Sequence, residues 1–390
     1  MADRLHFVDW LRVLAVLLLF PFHTSRVFDA GNPFYVKSAQ LSDSLCGVIH
    51  FIGAWHMPLL FLLAGASTYF ALKKRTPGRY AGERVTRLFV PLLFGWLILI
   101  PPQTWYGGRF NSGYAEPFWR YLLNGDFLVI NIRDGGDYYG GFGLGHLWFI
   151  FYLLIMALLA LPLLAWWRSE RGTGNAARFS RAIARPWVWP FVAIGLMLAQ
   201  SLPSLIEGKS FFYYFTLFLL GYVVMADRAF VESAEKWRWM ALGAGVALVL
   251  FRLWTAPLRL SLPDPSWPLA LHNALGMLAA WLMIVGLLGM GRRLLDRPSR
   301  TLTYLAEASY PVYIIHQTAI VVAAYYLVAL PGPWPWQWLV LLLAAVALTF
   351  GLYEIVRRVG ALRFCFGLHA LPAKEPARND RGPVRPSGLS

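Results

Sequence analysis

Apolar runs near the roughly 20 residues that a helix needs to cross a ~30 Å hydrocarbon core recur along most of the chain. They predict crossings over residues 7 to 28, 47 to 72, 88 to 106, 147 to 167, 187 to 205, 211 to 226, 239 to 256, 269 to 290, 304 to 329 and 337 to 356. The expected fold class is therefore all-α: a polytopic integral membrane bundle of about ten transmembrane helices, with both ends on one side. The polar positions between the runs alternate in sign and density. Lys73, Lys74, Arg75, Arg79, Arg84 and Arg87 separate the second and third runs, and Arg168, Arg171, Arg178, Arg181 and Arg185 the fourth and fifth. Arg292, Arg293, Arg297 and Arg300 follow the eighth run, and Arg357, Arg358 and Arg363 the tenth, whereas the alternate loops carry few cations, such as Lys37 or Arg259. Basic residues crowd cytoplasmic loops, so this alternation predicts an N-in, C-in orientation.

Two stretches break the pattern. Residues 107 to 145 form one long loop on the outer side, rich in Gly, Tyr and Trp and carrying Glu116, Asp126, Asp134 and Asp137; it reads equally as a sugar-stacking surface or as a plain cap. From Leu371 to Ser390 the chain is polar and Pro-rich, with too little apolar surface to fold. The expected division is a transmembrane domain over 1 to 366 and a disordered cytoplasmic tail over 367 to 390.

Composition reinforces the membrane reading: 58% of residues are hydrophobic and 14% charged, against about 45–50% and about 25% in soluble domains. The net charge of +15 raises nucleic acid as a partner, but loop topology absorbs it and no nucleic acid is expected. Asp9 and Arg12 interrupt the first run, so no cleavable signal is expected there. Cys46 and Cys365 fall on opposite faces and are not expected to pair. Trp105, Tyr106, Trp187, Trp189, Trp267, Trp334 and Trp336 sit at run ends, as interfacial anchors do.

Charged groups at bilayer depth are costly and usually mark a functional path. The first run holds Asp9, Arg12 and His23. Arg12 and His23 lie eleven residues apart, close to three whole turns and about 16 Å along the axis of a straight helix. Asp9 falls one turn from Arg12 as a natural ion-pair partner, and Pro21 is expected to kink the helix just before His23. The structural alternative is that Arg12 snorkels to the inner interface while His23 makes an interhelical hydrogen bond. The second run places His50 and His56 at a depth comparable to His23, and His146 opens the fourth on the same side. Four histidines raise a metal site, but no carboxylate or Cys accompanies them at ligand spacing, so no metal is expected; His56 reads as pore-lining or substrate-positioning. Arg84 and Arg87, one turn apart at the start of the third run, read as topological anchors or as a site for a phosphorylated donor.

These segments resemble the membrane acyltransferase-3 family, and within it the glucan biosynthesis (glucan succinyltransferase) branch. DWLRVLAVLLLFPFHTSRVF is similar to its first helix, with an Arg followed eleven residues later by a His; WHMPLLFLLAG, RVTRLFVPLLFG, GHLWFIFYLL and SYPVYIIHQ are similar to later signatures. Ala64 and Leu60 depart from the residues common there. The resemblance implies an inner-membrane enzyme that moves an acyl group, acetyl or succinyl, from cytoplasmic acyl-CoA to a hydroxyl of an extracytoplasmic glycan, in the company of other envelope glycan-synthesis proteins. It implies His23 as general base, Arg12 and Asp9 on the donor side, Lys73, Lys74, Arg75, Arg84 and Arg87 for the CoA phosphates, and His56, His146 and His316 for substrate. For His316, a proton relay and simple packing against Tyr313 stay open, and His56 or Arg26 could meet a succinyl carboxylate. A secondary transporter for a sugar-like or amphipathic solute is the competing reading, although the paired halves typical of such transporters are missing from the sequence.

Overall fold

The computed structural model describes residues 5–125, 136–141, 143–205 and 208–370. Asp126, Asp134 and the tail from Leu371 onward lie outside these residues. The described residues fold almost wholly as helix, with one isolated bridge between Asp29 and Ser42.

Proline sets where the first spans break. Helix α1 (His6–Leu17) passes into α2 (Leu19–Phe28) through Leu18. Pro21 has no amide to offer the Leu17 carbonyl, while Leu18 still donates to Leu14 at 2.9 Å and accepts from Phe22 at 3.2 Å. His56 enters this break and donates from Nε2 to the Ala15 carbonyl at 2.6 Å. Where a kink is expected, the helix shows a one-residue interruption at Leu18, three residues ahead of Pro21, within a span that runs from His6 to Phe28. Helices α3 (Asp43–Gly53) and α4 (His56–Lys74) make the second span.

The third span starts earlier than its apolar run. Helix α5 (Pro77–Arg84) is nucleated by Thr76, whose side chain accepts from the Arg79 amide, with Pro77 at the first helical position. It continues through a π-helical turn (Val85–Phe89) into α6 (Val90–Ile98) and α7 (Ile100–Asn111). The basic stretch expected as a loop is thus the polar end of a long helix. Pro101 and Pro102 withhold amides from the Leu97 and Ile98 carbonyls, and the helix is interrupted at Leu99.

Further along lie α8 (Phe118–Leu123), α9 (Trp148–Leu159), α10 (Leu161–Arg168), α11 (Glu170–Ile183), α12 (Trp189–Gln200), α13 (Phe211–Val224), α14 (Arg228–Lys236), α15 (Arg238–Trp254) and α16 (Ala256–Leu260). The C-terminal part comprises α17 (Trp267–Leu295), α18 (Arg300–Leu327), α19 (Trp334–Val356) and α20 (Gly360–Cys365). The second expected basic loop is also helical: Ser169 caps α11 by accepting from the Gly172 amide, and this polar helix meets its successor at 91°. Among the described residues, five helices are long and apolar enough to cross a membrane, or up to eight when each of three bent pairs is taken as one span.

Close helix approach holds the bundle together. Helices α4 and α13 cross with Gly65 against the Phe218 carbonyl and Gly221 against the Leu62 carbonyl, where an added Cβ would lie 1.9 Å from oxygen in each case. Small residues of this kind let backbones touch in a medium that offers no hydrophobic drive between helices. Helix α18 runs through the centre, buried on every side from Val312 to Val321. Two of its polar residues there are held by neighbours: Gln317 donates to Gln103 at 3.2 Å, and Gln103 donates to Thr318 at 2.7 Å. Leu198, Leu343 and Ile355 stay exposed, consistent with contact to lipid.

Candidate active site

A cavity of about 1110 Å³ opens at the His23 end of the first span. The loop after α2 builds one wall. Asp29 organises it, accepting from Lys37 Nζ at 2.7 Å, from Arg26 at 3.3 Å and from the Gly31 amide at 3.1 Å. Lys37 also donates to the Arg26 and Asp29 carbonyls, closing the C-terminus of α2, where a cation is favoured. Burial pushes the Lys37 ammonium down from its ordinary value, and the Asp29 carboxylate holds it up against that shift. The loop is thereby fixed with Phe34 stacked beside His23, the ring centres 6.2 Å apart.

Three imidazoles converge behind that wall. His316 on α18 lies 5.2 Å, ring centre to ring centre, from His23 and 5.2 Å from His146 at the head of α9. A carbonyl oxygen can only accept, which fixes where two of the rings carry hydrogen. His146 donates from Nε2 to the Ile314 carbonyl at 2.9 Å, and His316 donates from Nδ1 to the Tyr313 carbonyl at 2.6 Å. The opposite nitrogens, His146 Nδ1 and His316 Nε2, are buried without a partner, as is His23 Nδ1. Buried polar atoms are normally satisfied, so three unsatisfied ring nitrogens in one cluster mark a place where protons or a substrate hydroxyl can be handled. Tyr313 adds a hydrogen bond from its hydroxyl to the His146 carbonyl.

His23, His56, His146 and also His50 line the cavity. His50 bonds through Nδ1 to the Cys46 carbonyl. Among the described residues, no group of three or more His, Cys, Asp or Glu side chains is placed to hold a metal ion. The juxtaposition of His316 with His23 was not visible in the sequence, where they lie in the first and ninth runs.

Arg12 and Asp9 form the expected ion pair at 2.7 Å, with the Arg12 side chain 34% exposed. They lie at the other end of the span and do not line the cavity. Arg26 does line it, but is spent on Asp29 and on the Asn32 and Pro33 carbonyls. Of the two groups the sequence offered for a distal carboxylate, His56 and Arg26, the second is thus already engaged within the loop.

The basic residues on the Arg12 side sit at the end of α4, on α5 and in the π-helical turn that follows it. The π-helical turn over Val85–Phe89, which contains Arg87, changes its rotation relative to Arg84 from that of a continuous α-helix. Arg84 lies over the Tyr80 ring at 4.8 Å, and Arg87 donates to His369 Nδ1 at 2.9 Å. Arg75 pairs with Glu83 at 2.6 Å, Lys73 sits over Tyr69 at 4.5 Å, and Lys74 ends α4 beside it.

The loop over the cavity is tied down by polar contacts. Tyr35 donates to Asp137, and Asn111 donates to the carbonyls of Phe34, Tyr35 and Tyr138 at 2.8–3.1 Å. Tyr138 and Tyr139 thereby reach the cavity mouth. The stretch expected as a single loop is in its described part an extension of α7, the short α8 and a 3₁₀ turn over Gly136–Tyr139.

Comparison with known proteins supplies the chemistry class. A family profile described as an acyltransferase domain, of the acyltransferase-3 type, matches residues 5–354. The chain is 25% identical over 397 residues to glucans biosynthesis protein C of Escherichia coli O6:K15:H31 (strain 536 / UPEC), covering 98% of this chain and 99% of that one. It is 23% identical over 403 residues to the proteins of the same name from Salmonella agona (strain SL483) and Salmonella enteritidis PT4 (strain P125109), covering 97% and 98%. No solved structure matches.

Proposed function

Because the chain belongs to the membrane acyltransferase-3 family and is an acyltransferase, we propose that it carries an acetyl or succinyl group from cytoplasmic acyl-CoA to a hydroxyl of an extracytoplasmic glucan or related glycan. His23 is the general base in this reading. The observation that carries it is a cavity-lining imidazole with an unpartnered nitrogen, backed by two more. A neutral imidazole with a free ring nitrogen can accept a proton from a hydroxyl, which suits the task. It takes the proton of the acceptor hydroxyl; the oxygen forms the new ester as the carbon–sulfur bond of the thioester breaks, and the proton leaves with the CoA thiol.

The frame for this reaction is ten crossings with both termini in the cytoplasm of an inner membrane, α15 and α18 joining the five long spans and three bent pairs. The repeated basic clusters support that orientation. Residues 1 to 366 form the acyltransferase domain and 367 to 390 the tail. Glucan as acceptor rests on the names of the relatives, and the Tyr138 and Tyr139 rings at the cavity mouth suit a sugar face. At the opposite end, Arg84 and Arg87, with Lys73, Lys74 and Arg75, meet the CoA phosphates, while Arg12, aimed by Asp9, orients the pantetheine arm. Other glycan-synthesis proteins of the envelope are its expected company.

Membranes containing the protein, given radiolabelled acyl-CoA and glucan, should yield labelled glucan; solute flux with no acyl transfer would overturn the proposal. Arg87→Ala is expected to raise KM for acyl-CoA about tenfold or more with a smaller effect on kcat, the size expected for one charge-assisted hydrogen bond of about 1.5–3 kcal/mol. Steady-state kinetics against acyl-CoA concentration check this, and a kcat loss at unchanged KM would remove Arg87 from donor binding.

A further inference from the structure

The rule that distributes cations along this chain has exceptions at the His23 end. Lys37 is accounted for by Asp29. Arg252, at the end of α15, and Arg259, in α16, are not: both line the cavity, and neither forms an ion pair among the described residues. His272, near the start of α17, lines it too and lies close enough for both arginine charges to act on it. Asp137 is the only carboxylate among the described residues lining the cavity, and it receives the Tyr35 hydroxyl.

Arg252 is the most informative of the three. Its Nε is buried with no hydrogen-bond partner. Opposite it on α17 stands Gly276, where an added Cβ would lie 2.4 Å from the guanidinium carbon. The helix pair therefore leaves room for a partly desolvated cation and, among the described residues, supplies no carboxylate to neutralise it. A buried charge without a partner is costly, and a site retains one where a ligand completes it. Guanidinium is the group best shaped to take a planar carboxylate or a phosphate through two parallel hydrogen bonds.

We propose that Arg252, Arg259 and His272 form an oxyanion subsite in the cavity that His23 lines, receiving a carboxylate or phosphate carried by one of the two substrates. This rests on the acyl-transfer reading and deepens it. The anion has two sources: the distal carboxylate of a dicarboxylic acyl donor, or an anionic substituent on the sugar acceptor. In either case the subsite selects substrate by charge, at a place remote from the basic residues that meet the CoA phosphates.

The test crosses two donors with two acceptors in detergent-solubilised full-length protein. Succinyl-CoA is compared with butyryl-CoA, and a neutral glucan oligosaccharide with its phosphate-bearing counterpart. Wild type is expected to favour the charged member of one pair in kcat/KM by tenfold or more. Arg252→Gln should cut that preference about tenfold, towards parity, as loss of a charge-assisted contact does, and Arg252→Lys should restore part of it. Gly276→Ala, which displaces the guanidinium from the facing helix without removing it, should act in the same direction, and Arg259→Gln, at an exposed position, serves if Arg252→Gln does not fold. Preference in the donor pair assigns the anion to the acyl group; preference in the acceptor pair assigns it to the glycan. Absence of preference in both pairs, or equal loss in all four combinations, overturns the subsite. If wild type transfers nothing from any pair, the transfer reading fails, and the subsite is judged by thermal shift with succinate and inorganic phosphate: stabilisation of wild type but not of Arg252→Gln upholds it, and equal responses overturn it.

Discussion

His23→Ala is expected to lower acyl transfer by about 10²–10⁴-fold, the range that a positioned general base contributes, while the protein still folds. The imidazole lies at the cavity wall rather than in the packed centre, and no hydrogen bond to its ring ties neighbouring helices together. His146 and His316 are poor replacements. Each is oriented by a backbone carbonyl, Ile314 for the one and Tyr313 for the other, so neither can swing to the position vacated. The measurement is the initial rate of label transfer at matched amounts of monodisperse protein. Transfer above a tenth of the wild-type rate would reassign the base, and His146, which also lines the cavity, would be the next residue to replace.

Gly221→Val should have the largest structural effect. The crossing of α4 and α13 brings the Leu62 carbonyl to 1.9 Å from where a Cβ would stand, and the reciprocal contact at Gly65 closes the same crossing from the other side. Overpacking a core against movable side chains costs about 1–3 kcal/mol. Here the obstacle is backbone, so the helices must separate and lose the contacts along the crossing. Loss of the monodisperse peak on size-exclusion chromatography, or a fall in Tm of several degrees, is expected. Ala at either position should give a milder form of the same defect. A folded Gly221→Val protein of wild-type Tm would mean that this crossing does not hold the bundle.

The membrane character, the helical class and the pairing of Asp9 with Arg12 were legible because each follows from local pattern: apolar runs, and residues one turn apart. The extent of the helices was less so. Thr76 and Ser169 start helices inside stretches that hydropathy alone assigns to loops, because a capping side chain acts on amides and is blind to polarity. The candidate site was half visible. His23 and His146 stood out as polar groups in apolar runs, but the approach of His316 depends on how the first and ninth runs pack, which no spacing within one helix can report. Arg252 was hidden for the opposite reason. At the end of a run it looks like an interfacial anchor, and only Gly276 on the facing helix reveals that it points into the bundle.

The interruption at Leu18 has a consequence for inheritance. A continuous helix is a rigid shaft: any change that twists one end twists the other, and selection on one substrate disturbs the grip on the second. Here the helix is interrupted at Leu18, and His56 of the second span binds the Ala15 carbonyl one turn before it. In the acyl transfer proposed above, the half that carries His23 serves the acceptor and the half that carries Arg12 the donor. On that reading, substitutions that change acceptor choice are expected to fall in α2 and those that change donor choice in α1, within a single span.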